Sequence, residues 1–452
     1  MKRILCATLL ALGLVRVTAA DSTQPAALPA RQSLGEGGSP SNGLALDDCL
    51  RLAAEKHPAL AVAQAGVTAA TEAVGEAQAP YYPQVDLNAG FHRWQRRAFL
   101  PSGLVLPGRS LPELLGPLDD WNGGLSSRLM LYDSGERRAG LDAARARRAG
   151  AEADASATQA DVRLTVQSAF YALAAAQDLQ AVATKSLARA ESHQHLAEVH
   201  HQAGAAPKAD VLRTQAEVAD ARLQLIGADS RVRIATGRLN TAMGRAASTT
   251  LTIAATVSAA PPPGSEQLAA DADRALAHRP EIQSGEKRTE AARAAVTAAR
   301  AARAPKVRAD AAFGWRDTLL LPDTREWQAG LSVELPVFDA GTRARRLARS
   351  KAEAAREEAA FENRRLQIRE EVWSAGVELQ RSWSAIAANE ANVRASEESL
   401  RVVQERYQSG AGVVSDLLDT QTALAHAEAS LATARWSYLA ARAAFERAVG
   451  GP

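Results

Sequence analysis

The chain has 452 residues, with 53 lysines and arginines against 51 aspartates and glutamates, so its formal net charge is only +2 at pH 7. A charge so close to zero gives no reason to expect a nucleic-acid partner. Aromatic residues make up 4% of the chain, and together with abundant alanine and arginine this favours long helices over a bulky core.

The first 20 residues have the pattern of a secretory signal peptide. Lys2 and Arg3 give a positive start, residues 4–17 are mostly apolar, and small residues suited to cleavage follow. Residues 21–43 are rich in proline, glycine and serine, and we predict a flexible leader there. The sequence therefore describes an exported protein.

Removal of the signal peptide would leave Cys49 as the one cysteine, so no internal disulfide can form. A lone cysteine of this kind is more often a small buried hydrophobe than a reactive group. After the signal peptide no run of 18 apolar residues is available for a transmembrane helix.

The remainder of the chain contains an internal duplication. Segments around Pro58 and Pro280 match at an offset of 222 residues, and later segments match at an offset of 206. We therefore predict a first repeat at 44–245, a linker at 246–266 and a second repeat at 267–450. Pairs matched at the smaller offset are Trp121 with Trp327, Asp133 with Asp339, Gly135 with Gly341, Gly204 with Gly410, and Asp210 with Asp416.

Each repeat is predicted to contain a helix, a strand, a loop, a second strand, a long helix, a turn and a final helix. The strands alternate with period two and are about 8–11 residues long, which suffices to cross a bilayer when tilted. A small soluble sheet with one buried face would explain the same alternation, but export without disulfides favours the membrane. The predicted strands are 84–91, 123–131, 306–316 and 327–337, and the turns are 203–208 and 409–414.

Four strands cannot close a barrel, and an open sheet edge cannot lie in lipid. Two, three or four chains would therefore have to pool their strands.

Heptad spacing dominates the long helices. An apolar row recurs every seven residues in the second repeat, and an alanine row does so in the first. The helix predicted from Ser134 to Ala203 would be roughly 105 Å long, which suits a tube of packed helices better than a globular domain. The rows are Val372, Leu379, Ile386, Val393, Leu400 and Tyr407, and Ala169, Ala176, Ala183, Ala190 and Ala197.

No catalytic constellation is visible, and we predict neither an enzyme nor a cofactor. Four histidines cluster near the end of the first long helix, and two of them, His193 and His200, are seven residues apart and share a face. They could bind a metal, but polar side chains on a solvated helix are the favoured interpretation, and we predict no metal site. The other two are His195 and His201.

Asp416 and Asp419 are three residues apart and therefore share one helix face. Taken alone, they are well explained as acids that stabilise a helix N-terminus. Ser415 would then be the N-cap, and Gly410 or Gly412 would end the preceding helix.

Taken together, these features resemble the TolC-type outer-membrane efflux family. The motifs that carry the resemblance are the repeated strand ends LMLYDSG and LPVFDAG, and the matched stretches HHQAGAAPKADVLRTQ and RYQSGAGVVSDLLDTQ. The resemblance extends from about Leu44 to Gly450.

The resemblance implies a mainly α fold and a homotrimer. Three chains with four strands each would form a 12-stranded β-barrel in the outer membrane of a Gram-negative bacterium, continued by a periplasmic α-helical barrel. Residues 92–120 and 317–326 would be external loops. The protein would be a passive duct for efflux or type I secretion, recruited by a periplasmic adaptor and an inner-membrane transporter.

The resemblance also implies roles for residues at the tips. Asp416 and Asp419 would ring the pore constriction, where three-fold symmetry brings carboxylates together that attract cations. Tyr407 and Asp210 would form the latch of the closed state. The arginine that the family adds to this latch is replaced by Gly412, so Arg213 or Lys208 would have to substitute, or the closed state would be looser. The tip turns at Gly204, Gly410 and Gly412 would contact the adaptor.

The alternative is a periplasmic coiled-coil scaffold or adaptor that forms no channel. The heptads alone are compatible with such a protein. The sequence does not distinguish drugs, metal ions, small molecules and polypeptides as cargo.

Overall fold

The structure is a computed structural model that describes residues 43–95, 98–99, 114–115, 118–255, 261–262, 264, 267–317 and 325–451. The predicted signal peptide and residues 21–42 of the predicted leader lie outside this range. In chain order the elements are α1 Leu46–Lys56, α2 Pro58–Gln78, a 3-10 turn Ala79–Tyr81, β1 Gln84–Trp94, β2 Ala98–Phe99, β3 Leu114–Leu115, β4 Leu118–Tyr132, α3 Glu136–Gln202, α4 Lys208–Ala242, α5 Leu268–His278, α6 Pro280–Ala301, β5 Lys306–Asp317, β6 Arg325–Glu334, α7 Thr342–Gln408 and α8 Val414–Val449.

Long helices dominate the fold and appear in matched pairs. α3 and α7 each have 67 residues, while α4 has 35 and α8 has 36. A 67-residue helix is about 100 Å long. The predicted fold class, long helices with a small antiparallel sheet, is confirmed. Among the described residues, no helix combines the length and the apolar character that a membrane crossing needs.

A proline divides the helix that was predicted to open each repeat. α1 ends at Lys56 and α2 begins at Pro58, while α5 and α6 are separated in the same way before Pro280. His57 and Arg279, the residues before the prolines, are extended, because a residue that precedes proline is disfavoured in the helical conformation.

The four longer strands form one antiparallel sheet in the order β1-β4-β5-β6. An apolar row crosses one face of it, because Phe91 is paired with Trp121 and Phe313 with Trp327. The Phe91 and Trp121 rings are 4.4 Å apart. Several members of this face are exposed in the single chain, namely Val85, Leu87, Phe91, Phe313, Trp315, Trp327, Leu331 and Val333.

The strands of the first repeat are longer than their alternation predicted. β1 continues to Trp94 and β4 begins at Leu118, with these two residues paired, so the loop predicted at 92–120 is shorter at both ends. The buried Asp120 carboxylate explains the extension. It accepts hydrogen bonds from Trp94 Nε1 at 3.1 Å and from the Arg316 guanidinium at 2.9 Å, across three strands.

The last strand of the second repeat is shifted from its predicted position. β6 spans Arg325–Glu334, whereas the prediction was 327–337. Its pairing with β5 ends where Glu334 meets Lys306, the first residue of β5. Val337 and Phe338 lie beyond the sheet and are exposed.

Each long helix begins at a sharp corner that an Asp-x-Gly sequence builds. The Asp133 carboxylate accepts hydrogen bonds from the backbone N–H groups of Gly135 and Arg137 and from Arg137 Nε. Asp339 accepts the equivalent bonds from Gly341 and Arg343. This corner explains why the strand ends are duplicated in sequence.

Two apolar clusters hold the helices together about midway along α3 and α7. The first joins α3, α5, α6, α7 and α8, and the second joins α1, α3 and α4. Both contain residues of the predicted heptad rows. Their buried members include Leu268, Ile368, Val372, Leu379, Trp436 and Tyr438 in the first, and Val166, Phe170, Leu173, Leu239 and Met243 in the second. Cys49 is fully buried in the second cluster, in the predicted role of a small hydrophobe.

Candidate functional site: the paired helix tips

Two helical hairpins end in short turns. The first hairpin is α3 and α4, joined by the first tip at 203–207. The second hairpin is α7 and α8, joined by the second tip at 409–413. These turns contain or adjoin every residue that the sequence proposed as functional.

A glycine in the left-handed backbone conformation follows the helix that leads into each tip, α3 or α7. Gly204 has φ of 77° and Gly410 has φ of 76°. In the second tip the N–H of Gly410 donates to the Tyr407 carbonyl at 3.1 Å, and the N–H of Ala411 donates to the Arg406 carbonyl at 2.9 Å. The first tip has the same pair of bonds, so both helices end in a Schellman motif that satisfies their last carbonyl groups.

Gly412 has a different role from the one the sequence suggested. Its φ does not fall in the left-handed region, so Gly410 alone supplies that conformation in the second tip. A Cβ on Gly412 would lie 3.0 Å from the Tyr407 backbone nitrogen and 3.2 Å from the Arg406 carbonyl carbon. The lack of a side chain lets the chain cross close to the end of α7. An arginine could stand here only if that backbone moved.

Helix α8, which leaves the second tip, begins at Val414, one residue before the predicted N-cap Ser415. Val413 occupies the N-cap position of α8, no side chain caps the helix, and Ser415 lies inside it, so the prediction of Ser415 as N-cap was wrong. The reason is packing, since Val414 and Leu417 are buried in a cluster with Tyr407. This packing determines where the helix begins.

The two acidic residues of the second tip point to solvent in the single chain. Asp416 and Asp419 are exposed, with buried Leu417 between them. Within the described part of the chain neither carboxylate forms a salt bridge with a basic side chain, whereas Asp210, the counterpart of Asp416, lies 3.9 Å from Arg213 Nη1. The second tip therefore carries the uncompensated negative charge.

Tyr407 is buried near Asp210, but no hydrogen bond joins them. Only 4% of its surface is exposed, and it packs with Leu400, Leu417 and Leu424. Among the described residues its hydroxyl has no hydrogen-bond partner. Burial first, and then the negative charge of Asp210, raise the pKa of the Tyr407 hydroxyl, so this group stays neutral at physiological pH.

The two cations suggested as substitutes for the missing arginine are poorly placed. Arg213 approaches Asp210 only at 3.9 Å, and its side chain is 61% exposed. A contact of that length and exposure adds little stability. Lys208 is exposed as the first residue of α4.

The ring that does contact Tyr407 is His200, in the last turn of α3. The two ring centroids are 5.5 Å apart and the planes differ by 17°. Sequence reasoning singled out His200 only as a possible metal ligand. Its seven-residue spacing from buried His193 was the available signal, because heptad spacing places both on the same side of α3.

The remaining histidines do not converge on a site. His193 is buried, and its Nε2 has no hydrogen-bond partner among the described residues. Burial first, and then the charge of Arg189, lower its pKa. His201 contacts the Ala206 carbonyl at 2.9 Å, and His195 is exposed. The described residues contain no group of three or more side chains that could hold a metal ion.

Polar contacts join the two hairpins above the tips, along the line where α3 meets α8. We call this line the inter-hairpin seam. Arg189 donates to both carboxylate oxygens of Glu428, at 2.6 and 3.1 Å, and Trp436 Nε1 donates to Asp178 at 2.6 Å. Gln421 Nε2 donates to the Ser186 carbonyl at 3.4 Å. Sequence analysis missed these contacts, because nothing local indicates which helices become neighbours.

Comparison with known proteins gives a consistent result. The model of the family described as outer membrane efflux protein matches residues 49–245 and 272–451. Protein CyaE of Bordetella pertussis is 30% identical over 388 residues, which cover 84% of this chain and 78% of that protein. The pyoverdine export outer membrane protein OpmQ of Pseudomonas aeruginosa is 25% identical over 415 residues, or 90% of this chain and 85% of that protein.

The solved structure of the outer-membrane channel OprN has the same fold. It superposes with a TM-score of 0.78 over 90% of each chain, at 24% sequence identity.

Proposed function

The chain belongs to the outer membrane efflux protein family, and from this premise we propose that three copies form a passive duct that an adaptor and an inner-membrane transporter recruit. This family is one of outer-membrane efflux channels and is not an enzyme family. The alternative was a periplasmic scaffold that forms no channel. It rested on the heptads alone and does not account for the four-stranded sheet or for the family.

The observation that carries the duct is the arrangement of one chain. An open four-stranded sheet with an exposed apolar face lies at one end of helices about 100 Å long, and two turns lie at the other. Strands β1 and β6 are the edges of this sheet. Unpaired edges are excluded from lipid, so pairing between neighbouring copies is required. Three copies with four strands each would close a barrel of twelve.

Asp416 and Asp419 are proposed as the pore constriction. Both are exposed, lie in the first two turns of α8 and lack a compensating cation there. Three copies would bring six carboxylates towards one axis, where they would narrow the pore, attract cations and repel anions.

Tyr407 and Asp210 are proposed as parts of the latch between hairpins. Their interaction is electrostatic and steric, since the Tyr407 hydroxyl has no partner in the described residues. We further propose that the turns at Gly204, Gly410 and Gly412 contact the adaptor.

The constriction can be tested with purified protein in planar lipid bilayers. We expect Asp416→Ala combined with Asp419→Ala to raise single-channel conductance roughly twofold or more and to weaken cation selectivity, because the ring loses its charge and bulk. Glu397→Ala is the matched control, as Glu397 is an exposed acid on α7. Absence of any conductance in the wild type would contradict the duct, and unchanged conductance in the double variant would contradict the constriction.

A further inference from the structure

We propose that His200 is a positioning residue of the gate, and that its flat stack on Tyr407 holds the second tip in its closed position against the first hairpin. The proposal rests on the duct function argued above. His200 contacts no cargo; it would act through Tyr407.

The stack connects the two tip turns directly. The carbonyl of His200 accepts hydrogen bonds from Ala205 at 2.8 Å and Ala206 at 3.2 Å, both in the first tip. The carbonyl of Tyr407 accepts a bond from Gly410 at 3.1 Å, in the second tip. The backbone carbonyl of His200 thus binds the first tip, and that of Tyr407 binds the second. Because the side-chain rings of these two residues are stacked, movement of one turn is coupled to movement of the other.

The ring of Tyr407, and not its hydroxyl, makes this contact. Planes 17° apart with centroids 5.5 Å apart match the offset-stacked arrangement that aromatic pairs prefer. The hydroxyl has no hydrogen-bond partner in the described residues, so a phenol–carboxylate bond to Asp210 does not hold the tip here. Stacking supplies the link that neither Gly412 nor the exposed Arg213 provides.

His200 also belongs to a packed surface of α3. Leu196, one turn earlier on the same face, packs against the cluster formed by Leu400, Tyr407 and Leu417. Leu196 contributes apolar packing against this cluster, whereas His200 contributes the stacking of its ring on the Tyr407 ring. Opening of the second tip would have to separate both residues from the second hairpin.

The test compares planar with non-planar replacements of similar size. In planar bilayers we expect His200→Leu to raise the open-state frequency about tenfold, since three stacks would be lost per trimer. His200→Phe should restore the wild-type frequency, because it keeps a flat ring. His195→Leu is the control, since His195 is an exposed histidine on the same helix.

A double variant examines the partner. If the stack is the cause, adding His200→Leu to Tyr407→Leu should change the open-state frequency no further. Additive effects of the two substitutions would overturn the proposal, as would a His200→Leu variant that opens like the wild type or a His200→Phe variant that opens like His200→Leu.

Hydrogen exchange of the purified trimer gives a readout that does not require conduction. The Ala411 amide should exchange faster in His200→Leu and at the wild-type rate in His200→Phe. Absence of conductance in the wild-type protein would contradict the proposed duct function but not the role of His200 in holding the tip. Equal exchange in all three proteins would contradict the role of His200 alone.

Discussion

Gly410 and Gly412 are two residues apart, yet each is needed for a different physical reason. Gly410 has a left-handed backbone and open space around it, so its requirement is conformational. Gly412 has an ordinary backbone but lies against the end of α7, so its requirement is steric. Local sequence shows that glycines interrupt a helix; it does not show which of these two reasons applies.

Gly410→Ala should destabilise the second tip by about 1 kcal/mol, because a Cβ is strained in the left-handed region. The amide of Ala411 should then exchange with solvent about fivefold faster. Gly227→Ala is the control, since Gly227 lies within α4 with nothing near its would-be Cβ, and it should stabilise that helix by about 0.5–1 kcal/mol. Unchanged exchange in Gly410→Ala would refute the conformational argument.

At the scale of elements, the inter-hairpin seam is the line along which polar groups join the two hairpins. It combines a largely buried ion pair, Arg189 with Glu428, with the buried and incompletely bonded side chain of Gln421. Buried His193 lies one heptad after Ser186, which accepts the hydrogen bond of Gln421, and therefore on the same face of α3. Such groups add little net stability but are costly to separate from one another. Buried polar groups of this kind are suited to a contact that fixes the register of α3 against α8 and can still open.

Acidification should loosen this seam through His193. Its pKa lies below the ordinary value of 6.5 in the folded protein, so the opened state binds more protons once pH falls below that value. Stability contributed by neutral His193 is therefore present above about pH 6.5 and is lost as pH falls, by up to about 1.4 kcal/mol per pH unit.

Hydrogen exchange of α3 and α8 amides between pH 7.5 and 5.5, corrected for intrinsic rates, measures this loss. His193→Gln should remove the pH dependence, while His195→Gln should keep it. A seam whose protection does not change with pH in the wild type would show that His193 is not the titrating group.

At the scale of the whole molecule, the two ends have opposite chemistry. The sheet exposes a row of large apolar side chains, while the helix after the second tip exposes Asp416 and Asp419, which have no salt-bridge partner among the described residues. Helices of 67 residues separate them. A single copy leaves both the apolar face and the acidic residues exposed to solvent, which supports the proposed assembly of three copies around an axis.

Leu331→Arg should prevent stable insertion in the outer membrane. Leu331 is 73% exposed on the apolar face of β6, and an arginine facing the bilayer midplane costs about 2–4 kcal/mol in a transmembrane strand. Gln328→Arg, on the opposite face of the same strand, should be tolerated. The fraction of trimer in outer-membrane extracts measures both. Equal trimer yields from the two variants would show that this face does not meet lipid.

Much of this architecture could be predicted without coordinates, because it follows from local periodicity. Period-two alternation located the four strands to within a few residues, and heptads located α3 and α7. Errors arose where tertiary contacts decided the outcome. Hydrogen bonds to Asp120 extended β1 and β4, and burial of Val414 moved the start of α8 ahead of Ser415.

The sequence by itself determined the duplication and the fold class, because these depend on spacings along one chain, and its motifs indicated the family by resemblance. Only the tertiary structure decided that Tyr407 stacks on His200, that the Tyr407 hydroxyl has no hydrogen-bond partner among the described residues, and that Gly412 lies against α7. The stack joins His200 and Tyr407, which lie far apart in the chain and are brought together by the packing of two hairpins, and no local pattern encodes which faces of two long helices meet.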